Sequence, residues 1–249
     1  MEINQSIKQQ LLNYFQQQSI ITMGDFRNYF RAKQPSIKDT TIRGRIHDLK
    51  QAGLVQSAGR GKYTFQTKAT FQPMRSPAIK KVATLIHQHF DIDYCISSTE
   101  WLGEFSLHQA FQHILLLEVE KEFLRDTFDV IRNNSKQEVY LSPDKKIFDL
   151  YVSSADSPIV LKALPGRAPI KEVSNTKVSS LEKMLVDLFV DEQTFYAYQG
   201  QEMVHIFEKA IQLYQLDYSR LFGYAARRKK KKGLQQFLKE TIINFPKEL

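Results

Sequence analysis

The chain has 249 residues, a mass of 29.0 kDa, 42% hydrophobic and 25% charged residues, values that fit two or more folded domains rather than a disordered chain. A start of MEINQSIKQQ without a basic-then-apolar leader, apolar runs no longer than residues 114–117, and one cysteine, Cys95, point away from secretion, membrane spans and internal disulfides, so a cytoplasmic protein with no membrane partner is expected. The net charge of +8 is uneven: residues 1–75 hold 12 Lys+Arg against 4 Asp+Glu, residues 76–216 hold 14 against 20, and residues 217–249 hold 9 against 3. An acidic body between two basic ends points to polyanions at those ends, because Lys and Arg displace condensed counterions from a phosphate backbone.

In chain order, Ile7, Leu11, Leu12 and Phe15 recur at helical spacing. Phe26, Tyr29 and Phe30 do the same after Thr22-Met-Gly-Asp25, which reads as a capping box. A third helix opens near residues 36–39, carries Ile42, Ile46 and Leu49, and stops at Gly53, suited to a left-handed C-terminal cap. Strands at 54–57 and 62–65 then flank Ala58-Gly59-Arg60-Gly61, a hairpin turn. Three helices followed by a hairpin is the order of a winged helix-turn-helix, predicted over residues 1–70.

At about 100° per residue, the face of the third helix opposite its core carries Thr40, Arg43, Gly44, His47 and Gln51, with Lys38 and Thr41 at its start. Such a face suits the major groove of double-stranded DNA: Arg43 can pair bidentately with guanine, Thr40 or Gln51 can bond base edges, and Gly44 lets the backbone approach. Arg60 and Lys62 on the wing would reach phosphates or a minor groove. The run Gly59-Arg60-Gly61-Lys62 is not a P-loop, since Gln56 stands where that motif needs Gly and Tyr63 where it needs Ser or Thr.

Residues 67–77 read as a linker, and a mixed α/β domain is predicted over 78–175. Its expected elements are helices around Ile79–Ile86, at 107–112 and from Phe123 to Ile131, with strands at 94–97, 114–119, 138–141, 147–152 and 159–164. Trp101 is expected in the core. Asp93, Glu118 and Glu120 at strand ends raise a rival reading, a metal-dependent nuclease delivered to DNA by the winged helix. Val119 stands where a carboxylate-x-Lys signature needs an acid, and residues 153–157 lack the glycine and second acid of a nucleotidyltransferase. His87, His89, His108 and His113 show no metal-ligand spacing, and there is no CxxC or HExxH, so no catalysis, metal or cofactor is expected.

Residues 176–249 are predicted to be helical and packed on the α/β domain. Ser180 caps a helix through Met184, Leu185, Leu188 and Phe189; a second holds Val204, Phe207 and Ile211; a last one runs from Leu221 through Leu238. Inside it lies Arg227-Arg228-Lys229-Lys230-Lys231-Lys232, six cations that cannot share one helical face and that suit phosphate or an acidic protein partner.

With VSSLEKMLVDLF at 178–189 and LFGYAARRKKKKGLQQFL at 221–238, the chain resembles the AbiEi-type antitoxins of type IV toxin-antitoxin (abortive infection) systems. That resemblance implies an α+β protein with a DNA-binding N-terminal winged helix, acting as transcriptional autorepressor and antitoxin, with Arg227, Arg228, Lys229 and Lys230 on the antitoxin surface. The implied partners are inverted repeats in its own promoter and a nucleotidyltransferase-like toxin, opposed directly or through a shared target. Inverted repeats call for two copies on DNA, by dimerisation or cooperative binding.

Overall fold

The computed structural model describes residues 9–11, 13–15, 18–65, 68–108, 110–243 and 245–246. Its fold is α+β. The helix expected around Ile7–Phe15 falls partly outside those residues. β1 (Ile21–Thr22) leads into α1 (Met23–Lys33), which begins with the expected capping box: the Asp25 N–H donates to Thr22 Oγ1 while the Thr22 N–H donates to the Asp25 carboxylate. α2 (Asp39–Gln51) ends before Gly53, whose φ of +67° is the left-handed conformation a glycine tolerates. β2 (Gln56–Gly59) and β3 (Lys62–Thr64) form the antiparallel hairpin, and β1 adds to β3 as a third strand. Leu11, Phe15, Phe26, Phe30, Ile42 and Ile46 close one hydrophobic cluster beneath this unit.

A six-stranded mixed sheet forms the body, in the order β6-β7-β5-β4-β9-β8. It comprises β4 (Tyr94–Ser98), β5 (Leu115–Val119), β6 (Val139–Leu141), β7 (Ile159–Ala163), β8 (Ile170–Glu172) and β9 (Lys177–Ser179). β4 and β5 are antiparallel, whereas β5 and β6 each run parallel to β7. Every residue of β4 and β5 is buried, so both faces of the sheet are covered. Ser76 caps α3 (Pro77–His89), which packs on α4 (Leu124–Asn134). Trp101 is buried, its indole N–H donating to the Met74 carbonyl.

Two expected elements of the body differ. The segment 147–152, read as a strand from its β-forming residues, is instead helix α5 (Lys145–Leu150) followed by a 3-10 turn. Asp144 caps it by accepting the Ile147 N–H at 2.8 Å, and Phe148 of α5 and Val152 of the turn, four apart, are the buried side chains of the segment, a helical rather than an alternating pattern. Residues 107–112 form no helix among the described residues; the backbone N–H groups of Leu107 and His108 donate to the Glu202 carboxylate. β8 and β9 had no counterpart among the expected strands.

Ser180 caps α6 (Leu181–Val190), followed by α7 (Gln201–Leu213), α8 (Tyr218–Arg227) and α9 (Lys231–Thr241). The expected final helix is thus two, broken at residues 228–230, where Lys229 adopts a φ of +57°. No helix among the described residues is long and apolar enough to cross a membrane.

Candidate functional site

The first candidate surface lies on α2. Ile42, Ile46 and Leu49 point into the core, which leaves Thr40, Thr41, Arg43, Gly44, His47 and Gln51 exposed together, with Lys38 at the N-cap. A Cβ added at Gly44 would meet nothing within 4 Å, so packing does not require glycine there. Arg27 and Arg31 of α1 both reach Asp39 at 2.9 Å and tie the two helices across the turn. Arg45 lies over the Phe30 ring, 5.1 Å from its centroid, and is turned towards α1 rather than out from α2. What α2 offers is a ridge of small, hydrogen-bonding and cationic side chains.

The hairpin is held by the body. The Arg60 N–H donates to Ser219 Oγ at 2.9 Å, the Gln215 amide donates to the Ser57 carbonyl, and Lys68 Nζ donates to the Ile211 carbonyl at 2.6 Å. Gly59 allows this approach: a Cβ there would lie 2.5 Å from Ser219 Oγ and 3.0 Å from the Ser219 nitrogen. Arg60 keeps an exposed side chain, and Lys62 is half-buried and paired with Thr22 across β1 and β3.

A second feature, unforeseen in the sequence, is a buried charge cluster under β5. Lys183 and Asp187 stand one turn apart on α6, and Glu118 on β5 faces them. Lys183 Nζ is 2.5 Å from Asp187 Oδ2 and 2.5 Å from Glu118 Oε2; the latter contact is off the line of a hydrogen bond and counts as an ion pair. Arg228 and the Tyr224 hydroxyl both donate to the second Asp187 oxygen. Burial pushes the Glu118 carboxyl up. Burial by itself would depress Lys183, but Asp187 and Glu118 outweigh it and hold the ammonium well above its usual range. The Cys95 thiol, paired across the strands with Glu118, is pushed up by burial and is poorly reactive. A pocket of about 280 Å³ opens beside the cluster, lined by Glu118, Asp187, Arg228 and the Lys162–Asp191 pair. The signal in the sequence was a Lys and an Asp at i, i+4 in the otherwise apolar run LEKMLVDLFV.

The carboxylates of the nuclease reading are engaged elsewhere. Glu118 serves Lys183, Asp93 pairs with Lys177 at 2.6 Å, and Glu120 accepts the Asp93 N–H. No group of three His, Cys, Asp or Glu placed to hold a metal occurs among the described residues. His87, His89 and His108 are exposed and His113 is half-buried; His87 Nε2 hydrogen-bonds the Tyr94 hydroxyl. Within the basic run, Arg228 turns inward to Asp187, while Arg227 and residues 229–232 are exposed.

No curated protein matches the chain. A family model described as "Family of unknown function (DUF6577)" matches residues 41–244, from the first turn of α2 through the sheet and the helices beyond it. On the extent of that match, the chain belongs to the DUF6577 family.

Proposed function

We propose that the chain is a DNA-binding transcriptional regulator whose helix–helix–hairpin unit is a winged helix-turn-helix, with α2 entering the major groove of double-stranded DNA. The observation that carries this reading is the exposed ridge Thr40-Arg43-Gly44-His47-Gln51 on a helix whose other side is core. Glycine in a helix interior costs about 1 kcal/mol relative to alanine, and at Gly44 no packing contact explains it. Close approach to a base edge does. The excess of cations in residues 1–75 supplies the attraction to phosphate.

The regulatory role is autorepression together with antitoxin action against a nucleotidyltransferase-like toxin. It is supported by the two segments that resemble AbiEi-type antitoxins, which meet in the fold: Lys183 and Asp187 of the first contact Tyr224 and Arg228 of the second. Catalysis and cofactors form no part of this reading.

Gel-shift titration of the full chain, using the DNA upstream of its own coding region and a scrambled duplex at two salt concentrations, tests it. Arg43→Ala is expected to weaken binding to the specific duplex by about 1–3 kcal/mol and to relax sequence preference. Arg60→Ala is expected to weaken both duplexes alike and flatten the salt dependence. Unchanged affinities in both variants overturn the assignment of the surface. Co-expression with a neighbouring nucleotidyltransferase-like toxin tests the regulatory half; growth arrest that persists in the presence of this chain removes it.

A further inference from the structure

α8 begins where the hairpin tip is anchored. Ser219, in its first turn, accepts the Arg60 N–H, and the missing side chain of Gly59 lets the two backbones touch. From that contact one face of α8 continues outward: Ser219, Arg220, Gly223, Ala226 and Arg227 are all exposed, at the three- and four-residue intervals that align side chains along a helix. Arg220 and Arg227 are seven residues apart and so nearly superpose in projection. Neither has an ion-pair partner among the described residues, although surface pairs elsewhere tie down Arg27, Arg31 and Arg125. Between the two arginines sits Gly223, where an added Cβ would meet nothing within 4 Å. Glycine there weakens the helix with no packing gain, the same signature as Gly44 on α2. At its far end α8 runs into the turn of residues 228–230, and the inward pairing of Arg228 leaves Arg227 and four lysines projecting together. Like charges so concentrated repel one another, and no carboxylate among the described residues pairs with them.

We propose that this face of α8 and the turn after it form a second contact surface for the sugar–phosphate backbone of the same duplex that α2 reads. This rests on the DNA-binding reading above and extends it. The hairpin tip, seated on Ser219, brings Arg60 of the N-terminal unit to the start of this face of α8. From Ser219 to Arg227 the helix advances about 12 Å, the rise of some three to four base pairs, so the protected duplex extends beyond the α2 half-site by roughly that amount on one flank. Arg220 and Arg227 hold phosphates, Gly223 lets the backbone approach between them, and the lysines continue the track. None of these contacts reads sequence.

The test uses the full-length chain and a duplex that it selects from a randomised pool. Arg220→Gln combined with Arg227→Gln is expected to lower affinity at least tenfold near physiological salt and to reduce the slope of log affinity against log salt by about two. Protection from hydroxyl-radical cleavage is lost on one flank, and sequence preference and thermal unfolding are unchanged, since both side chains are exposed. Arg43→Ala is expected to relax sequence preference and leave the flank protected. If Arg43→Ala weakens binding but the double variant changes neither slope nor flank, the α8 track is wrong and the α2 reading stands. If the pool yields no enriched duplex, the α2 reading falls and the track with it. Equal slopes on duplex DNA, with weakened binding only to single-stranded RNA or to an acidic protein, also overturn the proposal.

Discussion

A lysine ammonium taken out of water needs anions to replace its hydration, and Lys183, with 1% of its side chain exposed, has two within 2.5 Å. Removing the cation strands Glu118 in the interior and leaves Asp187 to Arg228 and Tyr224 alone. Lys183→Met is therefore expected to cost about 3–5 kcal/mol in chemical denaturation, far more than a change at the exposed Lys145–Asp149 pair of α5. An unaltered midpoint would mean that water reaches the cluster. At the mouth of the same pocket, burial by itself would raise the Asp191 carboxyl, but the Lys162 ammonium at 2.6 Å and the Thr194 donors hold it below its usual value. A carboxylate depressed on folding contributes stability that is complete above its unfolded pKa of about 3.9 and lost as pH falls through its folded value. Wild type should thus be more stable than Asp191→Asn at neutral pH, the gap closing as pH drops below about 4. Glu118, raised on folding, contributes with the opposite sign, and comparison with the Asp191 variant isolates the group of interest.

Among the elements, the hairpin and α8 are the pair whose contact depends on a single atom's absence. The Ser219 hydroxyl could swing away from a new Cβ at position 59, but its backbone nitrogen, 3.0 Å off, belongs to the first turn of a helix and cannot. Gly59 also sits at a φ of +139°, which side-chain-bearing residues rarely adopt. Gly59→Ala is expected to destabilise by about 1–3 kcal/mol, read as a lowered denaturation midpoint. Ser219→Ala, which removes only the acceptor of the Arg60 N–H, should cost less, about 1 kcal/mol. A larger loss in the serine variant would reverse the assignment of what holds the joint.

For the whole molecule, Ile20 and Ala58 of the N-terminal unit belong to the hydrophobic cluster of the body, although that unit has a cluster of its own. Wild type is accordingly expected to unfold in one thermal transition, and Gly59→Ala to separate it into two; two transitions in wild type would mean that the joint is weak. How much of this was legible from residue order follows the range of the forces. The outward face of α2, the capping box at Thr22, the caps at Ser180 and Gly53 and the buried strands β4, β5 and β7 are set by helix period, alternation and local hydrogen bonds, which act over a few residues, and the sequence alone determined them. α5 defeated that reasoning because its β-forming residues lost to an aspartate cap. The break between α8 and α9 was hidden in a run of residues that all favour helix. The Glu118–Lys183–Asp187–Arg228 cluster joins positions up to 110 apart, and the seat of the hairpin on Ser219 joins positions 159 apart. Only the tertiary structure decided these, because an ion pair or a backbone contact of that span has no periodic trace in the chain and exists only once the sheet and helices have closed around it.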